Sequence, residues 1–264
     1  MNTLVIGCGG AGSNVVRTIV FPNKVLINTD SESDIPMVPK NVKGTRGDIF
    51  VGRSLAEDYS DTIDKIISKY DNLIIFAGLG GGTGTGMAPL LAERSVVAGL
   101  RTVFIVSVPM EFEGRHIKAQ EALNELIGIA DRIILLDMNI IASRSQSNVF
   151  EKTIAEADDI AREIILRIAE IITGPFFSIF SEKAYTVSLT KGNTPEEKIS
   201  YALENSLYSA DPAYGKAVIH ADSKTYRYRE RICDVVCSKS GIIPEIIHSD
   251  LEGTMVFIPV SLRL

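Results

Sequence analysis

A chain of 264 residues with 45% apolar composition is long enough to bury one large core or two modest ones. A formal charge of −6 argues against a general nucleic-acid binder, which needs excess cation against phosphate. Three cysteines, Cys8, Cys233 and Cys237, are too few and too scattered for a disulfide framework and predict a reducing cytoplasm. With only His116, His220 and His248 beside them, no zinc site is expected. No run reaches the ~18 apolar residues of a membrane span, and the chain opens on a strand rather than a signal peptide. These features predict a soluble, cytoplasmic protein.

Thr3-Leu4-Val5-Ile6 reads as a buried strand feeding Gly7-Cys8-Gly9-Gly10-Ala11-Gly12-Ser13-Asn14, with a helix through Ile19. Gly7, Gly9 and Gly12 have the G-x-G-x-x-G spacing of a dinucleotide fold. A second strand, Lys24 to Ile27, ends in Asn28-Thr29-Asp30, where such a fold carries its ribose-binding acid. Taken alone, this half supports an NAD-binding oxidoreductase. Residues 31 to 52 are rich in loop formers, among them Pro36, Pro39, Gly44, Gly47 and Gly52, and Arg46 is the nearest upstream cation for a phosphate. A helix over roughly 53 to 69 is expected next.

Leu73 to Ala77 is another buried strand, and Gly78-Leu79-Gly80-Gly81-Gly82-Thr83-Gly84-Thr85-Gly86 follows it. So many glycines forgo side-chain packing and leave backbone N–H groups free to converge on one bound group. The spacing predicts a helix from Met87 to Leu100 with Pro89 near its first turn. Strand, glycine loop and helix N-terminus is the order in which amides and a helix dipole hold phosphate. The loop has no Lys, so it is not the G-x-x-x-x-G-K-[ST] P-loop. Two such loops suggest a triphosphate clasped from both sides.

Thr102 to Val108 is a buried strand closed by Pro109, with Glu111-Phe112-Glu113-Gly114-Arg115 at its carboxyl end, where open α/β sheets bind ligands. A helix over 117 to 130 leads to the strand Arg132 to Leu136 and then to Asp137-Met138-Asn139. This alternation predicts a doubly wound, mostly parallel α/β sheet. The longest helix starts at Asn148, a candidate N-cap with Glu151 three residues on, and runs to Gly174-Pro175. Asp158 and Asp159 lie near its start, placed to reach a ligand. Past Pro175, Phe176 to Phe180 is an apolar patch. Ala184 to Leu189, Lys216 to Ala221, Ile243 to Ile247 and Thr254 to Val260 read as strands, and Thr194-Pro195-Glu196-Glu197 opens a helix by cap, proline and capping box. The expected division is a Rossmann-like nucleotide-binding domain over 1–148, a central helix over 149–174 and a smaller α+β domain over 175–264.

Gly80-Gly81-Gly82-Thr83-Gly84-Thr85-Gly86 matches the G-G-G-T-G-T-G signature of the tubulin/FtsZ superfamily, which the chain resembles over residues 1 to about 174. The match includes the first glycine loop, Asn28-Thr29-Asp30, Thr45-Arg46-Gly47, Pro109 through Gly114 and Ala157-Asp158-Asp159, and Phe112-Glu113-Gly114 is closer to FtsZ than to eukaryotic tubulin. The resemblance implies GTP or GDP held by the amides of Gly9, Gly10 and Ala11 and of Gly80, Gly81, Gly82, Thr83 and Gly84, with hydroxyls from Thr83 and Thr85. It places Glu113 at the ribose, Asp158 at guanine N1 and N2, and Asn14 and Asn139 beside the base; Arg46 is in reach of a phosphate, and Arg115 is the candidate for the family's arginine, which lies further past the glycine. Mg2+ would be held through the phosphates, with no metal site of the protein's own.

The family's N-x-D-x-x-D after the central helix supplies carboxylates to the next subunit's nucleotide and activates water. Here that stretch reads Gly174-Pro175-Phe176-Phe177-Ser178-Ile179-Phe180-Ser181-Glu182-Lys183, leaving Glu182 as the only nearby acid. The second domain is expected to be shorter than the family's and to lack an adaptor-binding tail. The resemblance therefore implies a divergent prokaryotic FtsZ-like assembly protein with impaired hydrolysis, forming homo-oligomers or filaments, with a membrane or adaptor partner and a role in membrane remodelling or shape control. The competing readings are an active assembly-dependent GTPase that uses Glu182 or another carboxylate, and the NAD-dependent oxidoreductase.

Overall fold

The computed structural model describes residues 2–37, 44–145 and 149–261, with only the backbone of 175 and 176. It divides into two compact units: Met1–Ile133 with Asp137–Ala169, and Ile134–Leu136 with Glu170–Leu264. In the first unit the order is β1 (Thr3–Cys8), α1 (Gly9–Thr18), β2 (Lys24–Asn28), β3 (Ile35–Pro36), α2 (Ile49–Asp58), α3 (Ser60–Ile67), β4 (Asn72–Gly78), α4 (Gly82–Val97), β5 (Arg101–Val108) and α5 (His116–Ile129). β6 (Arg132–Asp137), α6 (Met138–Arg144) and α7 (Phe150–Thr173) complete it, β6 and α7 each contributing residues to both units.

The strands of the first unit lie in the order β3-β2-β1-β4-β5, with β2–β3, β1–β2, β1–β4 and β4–β5 all paired parallel. β1 and most of β4 are buried on both faces, as near-continuous Val, Ile and Leu runs require in a parallel sheet covered by helices. The order runs outward in both directions from the β1–β4 pair. That pair is the topological switch point, and ligands bind outside the carboxyl ends of such strands. Both glycine loops leave from those two ends. The expected doubly wound α/β architecture is therefore present, and its topology points at the loops.

The second unit contains β7 (Ala184–Leu189), α8 (Pro195–Glu204), β8 (Val218–Asp222), α9 (Ser223–Tyr226), α10 (Arg229–Ser240), β9 (Glu245–Ser249) and β10 (Met255–Pro259). β10 pairs antiparallel with β7 and β8, and β8 pairs parallel with β9, so this sheet is mixed. Ile199, Leu203, Ile219, Ile232, Val236, Val256 and Ile258 form its core between α8, α10 and the sheet. α8 starts as its sequence requires: Thr194 Oγ1 accepts from Glu197 N at 3.2 Å, Glu197 returns to the Thr194 amide, and Pro195 takes the first helical position.

Two elements differ from the sequence reading. The helix expected over 53 to 69 starts at Ile49, because Asp48 caps it with bonds to Phe50 N (2.9 Å) and Val51 N (3.3 Å), and it breaks at Tyr59 into α2 and α3. α4 begins at Gly82, inside the glycine stretch, so Pro89 is an interior residue rather than a first-turn one. In the apolar patch, Phe180 is buried with edge-to-face contacts to Tyr185 (centroids 4.9 Å) and Phe257 (5.4 Å), core packing within the second unit. The N-cap expected at Asn148 lies outside the described residues.

Candidate functional site

Every helix begins with amides that have no intrahelical partner, and a Ser, Thr, Asp or Asn cap ordinarily satisfies some of them. α2, α6, α8 and α9 follow that rule through Asp48, Asp137, Thr194 and Asp222. α1 and α4 do not. Cys8 precedes α1 and Gly81 precedes α4, neither with a side-chain cap, and neither first turn contains an acid. Two helices thus present free amides and the positive ends of their dipoles outside the carboxyl ends of β1 and β4.

The glycines bring these two ends together. Gly9 has φ +72°, and a Cβ on it would lie 2.7 Å from Gly84 N. A Cβ on Gly84 would lie 2.7 Å from Gly78 O and 3.4 Å from Cys8 O. Only hydrogen side chains permit this approach of α1, α4 and the sheet. Gly52 closes on Gly82 and Thr83 in the same manner, which is why α2 packs so tightly on α4. Gly10 differs: it is exposed, and nothing lies within 4 Å of its Cβ position. Ala11 is exposed beside it. The Cys8 thiol is sealed beneath, against Gly84 O at 3.9 Å, and burial pushes its pKa up to about 12, so it serves as packing rather than as a nucleophile.

Because α4 starts at Gly82, Thr83 and Thr85 are helical and about 200° apart around the axis. Thr83 faces two other hydroxyls, Thr29 Oγ1 at 3.3 Å and Thr45 Oγ1 at 3.4 Å. Thr85 instead lines a cleft with Arg46, Lys118 and residues of α2 and α5. Arg46, exposed and with φ +49°, is in that cleft as well. The structure thus separates Thr85 and Arg46 from Thr83. It also adds Thr29 and Thr45, whose side-chain roles the sequence reading left unassigned although it had noted both segments.

The remaining candidates connect in a chain. Arg115 packs against Gly80 and Gly81 and pairs with Glu113, whose Oε1 accepts from Met110 N at 2.8 Å. Glu111 N donates to Asn139 Oδ1 at 3.0 Å, and Phe112 meets Phe150 at the start of α7 with centroids 5.9 Å apart. Asp158 lies two turns further along α7, half-buried, and desolvation raises its pKa while Arg162 opposes the rise. Asp159 is exposed and paired with Arg162, which also donates to Thr18 Oγ1 on α1 at 3.0 Å. Asn14 is exposed on α1 one turn before Thr18.

Comparison with known proteins agrees with this arrangement. Residues 20–144 match the model of the Tubulin/FtsZ family, GTPase domain. The sequence is 33% identical over 189 residues to cell division protein FtsZ 2 of Halobacterium salinarum, covering 65% of this chain and 48% of that protein. FtsZ 2 of Haloferax volcanii is 32% identical over 189 residues, with coverages of 65% and 47%. The empty FtsZ dimer of M. jannaschii superposes with a TM-score of 0.82 at 25% identity, over 97% of this chain and 86% of that one. By sequence and by fold the chain is similar to members of the tubulin/FtsZ superfamily. CetZ1 of Haloferax volcanii, in its GDP-bound monomer, shares the fold at TM-score 0.75 and 18% identity, over 99% and 95% of the two chains. The chain spans about half the length of the curated FtsZ relatives it matches.

Against that family frame the segment after α7 stands out. Pro175–Ile179 form a 3-10 turn, and β7 starts at Ala184. Glu182, half-buried, accepts from Ser181 Oγ at 3.3 Å, and a Cβ on Gly215 would lie 3.0 Å from its Cγ. Cys233 and Cys237 are free thiols, and no metal-binding cluster occurs among the described residues. Among them, no helix is long and apolar enough to cross a membrane.

Proposed function

We propose that the protein binds GTP or GDP and acts as an FtsZ-like cytoskeletal assembly protein whose head-to-tail hydrolysis is impaired. The observation that carries the binding half is the pair of uncapped, acid-free helix N-termini at the switch point, a site suited to polyphosphate without any lysine. Residues Gly9, Gly10 and Ala11 on one side and Gly80 through Gly84 on the other hold the phosphates, and Thr83, with Thr29 and Thr45, contributes hydroxyls. Arg46 and Thr85, which line the cleft on the other side of α4, are left out of the phosphate site. Glu113 and Arg115 take the ribose side, Asn14, Asn139 and Asp158 take the base, and Mg2+ enters with the phosphates. The nucleotide-binding domain is residues 1–148, joined through a helix over 149–174 to a second domain over 175–264.

The catalytic half rests on the segment after α7, which offers Glu182 alone where the family pattern has two aspartates. A carboxylate already engaged by Ser181 and packed at Gly215 is poorly placed to activate water on another molecule's nucleotide. Self-assembly is supported by the M. jannaschii FtsZ dimer and by the protofilament of Haloferax volcanii CetZ2 among the similar structures. A membrane surface or adaptor would then receive the polymer, consistent with shape control or cell division.

Phosphate release from GTP, measured with sedimentation across a wide protein concentration range, tests the whole reading. Guanine nucleotide bound, with polymer and negligible turnover, is expected. Turnover per molecule that rises with assembly would overturn the impaired-hydrolysis half. A nicotinamide nucleotide recovered in place of guanine would overturn the binding half.

A further inference from the structure

Behind the first turns of α4, on the side away from Thr83, a cleft of about 500 Å³ lies between α2, α4 and α5 of the first unit. That volume falls in the ~300–1,000 Å³ range of small-molecule sites. Its floor contains Thr85, which is 1% exposed and whose hydroxyl has no hydrogen-bond partner. Pro89, four residues on, has no N–H to return to the Thr85 carbonyl.

The walls divide by chemistry. Phe50, 85% exposed on α2, and Ala122 on α5 supply an apolar face. Arg53 and Glu125 neutralise each other at 2.7 Å, and the Asp48 carboxylate is occupied by the amides it caps. Arg46 and Lys118 then face a single uncommitted carboxylate, Glu121. Lys118 Nζ is held at the mouth by Gly47 O at 3.2 Å. The first turn of α5, which includes Lys118, adds its dipole to the same end.

We infer that this cleft is a second ligand site, separate from the phosphate loops, for an amphipathic small molecule with an anionic head. The head sits between Arg46 and Lys118, and the apolar body covers Phe50 and Ala122. The inference does not depend on the guanine reading, since it uses the opposite side of α4.

The probe is anilinonaphthalene sulfonate, an aromatic anion of suitable size, titrated by fluorescence against the full chain with and without GDP. One saturable equivalent is expected, and uncharged phenylnaphthylamine should bind at least about tenfold more weakly, as loss of a charge-assisted contact implies. Lys118→Glu and Phe50→Ala, both exposed changes, should each weaken the sulfonate about tenfold or more while leaving thermal midpoint and nucleotide retention at wild-type values. Binding equal in both variants, unsaturable binding, or equal affinity for the uncharged analogue would overturn the proposal. Loss of GDP binding with intact sulfonate binding would overturn the nucleotide reading alone.

Discussion

Replacing Gly9 and Gly10 one at a time separates packing from ligand binding, because adjacent positions have opposite environments. At Gly9 an alanine must adopt φ +72° and place its Cβ 2.7 Å from Gly84 N, a backbone atom that cannot swing away. The left-handed conformation costs about 1–2 kcal/mol and overpacking about 1–3 kcal/mol, so Gly9→Ala should lose roughly 2–5 kcal/mol of folding stability. A domain is typically stable by only ~5–15 kcal/mol, so the loss will show directly in urea melts of nucleotide-free protein. At Gly10 a methyl meets nothing within 4 Å, and alanine is the better helix former, so stability should hold or rise by up to about 1 kcal/mol. That open face is where a phosphate lies in the proposed site. The methyl should cost one charge-assisted amide bond, about 1.5–3 kcal/mol, hence a roughly ten- to hundred-fold weaker Kd for GDP. A Gly10→Ala protein that binds GDP normally would move the phosphates off α1. A Gly10→Ala protein destabilised as much as Gly9→Ala would refute the geometry of the loop itself.

Four further outcomes test other parts of the molecule. Asp158→Ala should reduce the preference for GTP over ATP by about 1–3 kcal/mol, the cost of an unpaired buried partner, in a competition assay; an unchanged ratio, with the loss appearing in Asp159→Ala instead, would assign the base to its neighbour. Desolvation raises the folded pKa of Asp158 above 3.8, so its ionisation opposes folding at neutral pH and stops doing so on acidification. Asp158→Asn should therefore raise the apo-protein's melting midpoint at pH 7, and the gain should shrink toward pH 4. At Asp222 burial alone would push the pKa up, but the Thr225 amide and hydroxyl, the Gly253 amide and Lys198 outweigh it and hold the pKa below its ordinary value. The carboxylate's contribution is thus present above the unfolded pKa and lost as pH falls through the folded one. Asp222→Ala should cost about 1 kcal/mol as a lost α9 cap at neutral pH, and the difference from wild type should fade below pH 4 in denaturant titrations. Finally, Glu182→Gln should leave basal phosphate release unchanged, and a large drop would restore it as the catalytic carboxylate.

Much of this was legible in the residues because local chemistry and global topology agree. The parallel strands announce themselves as unbroken apolar runs, and Thr194-Pro195-Glu196-Glu197 specifies a helix start by local hydrogen bonding alone. The reading of Gly78 to Gly86 as loop throughout went astray because glycine propensity describes an isolated chain. In the folded protein Gly82, Gly84 and Gly86 are helical, and what their missing side chains provide is contact with α2, Gly9 and the sheet. Asp48 was a visible cap signal hidden in a stretch of loop formers. The hydroxyl group of Thr29, Thr45 and Thr83 was not legible, since it joins three segments that only the sheet order brings together.

On the proposed reading, the nucleotide site and the segment after α7 differ in what holds their residues in place. In the proposed site the phosphate-holding amides are backbone groups at two helix ends, and their placement is enforced by glycines whose replacement would break the packing of α1 and α4. Folding stability therefore protects them whether or not GTP is hydrolysed. Carboxylates on a loop have no such protection, because nothing in the core requires them. Here the same stretch has been drawn into the second unit's core, with Phe180 wedged between Tyr185 and Phe257 and the Glu182 side chain laid on Gly215. An apolar anchor at Phe180 stabilises the fold by the burial of an aromatic ring, a gain that a solvated aspartate at the same place would forfeit. Once turnover ceases to be selected, that exchange favours packing. A sequence with both glycine loops intact and an aromatic in place of the acids is the outcome this competition predicts for a protein retained as a nucleotide-dependent scaffold.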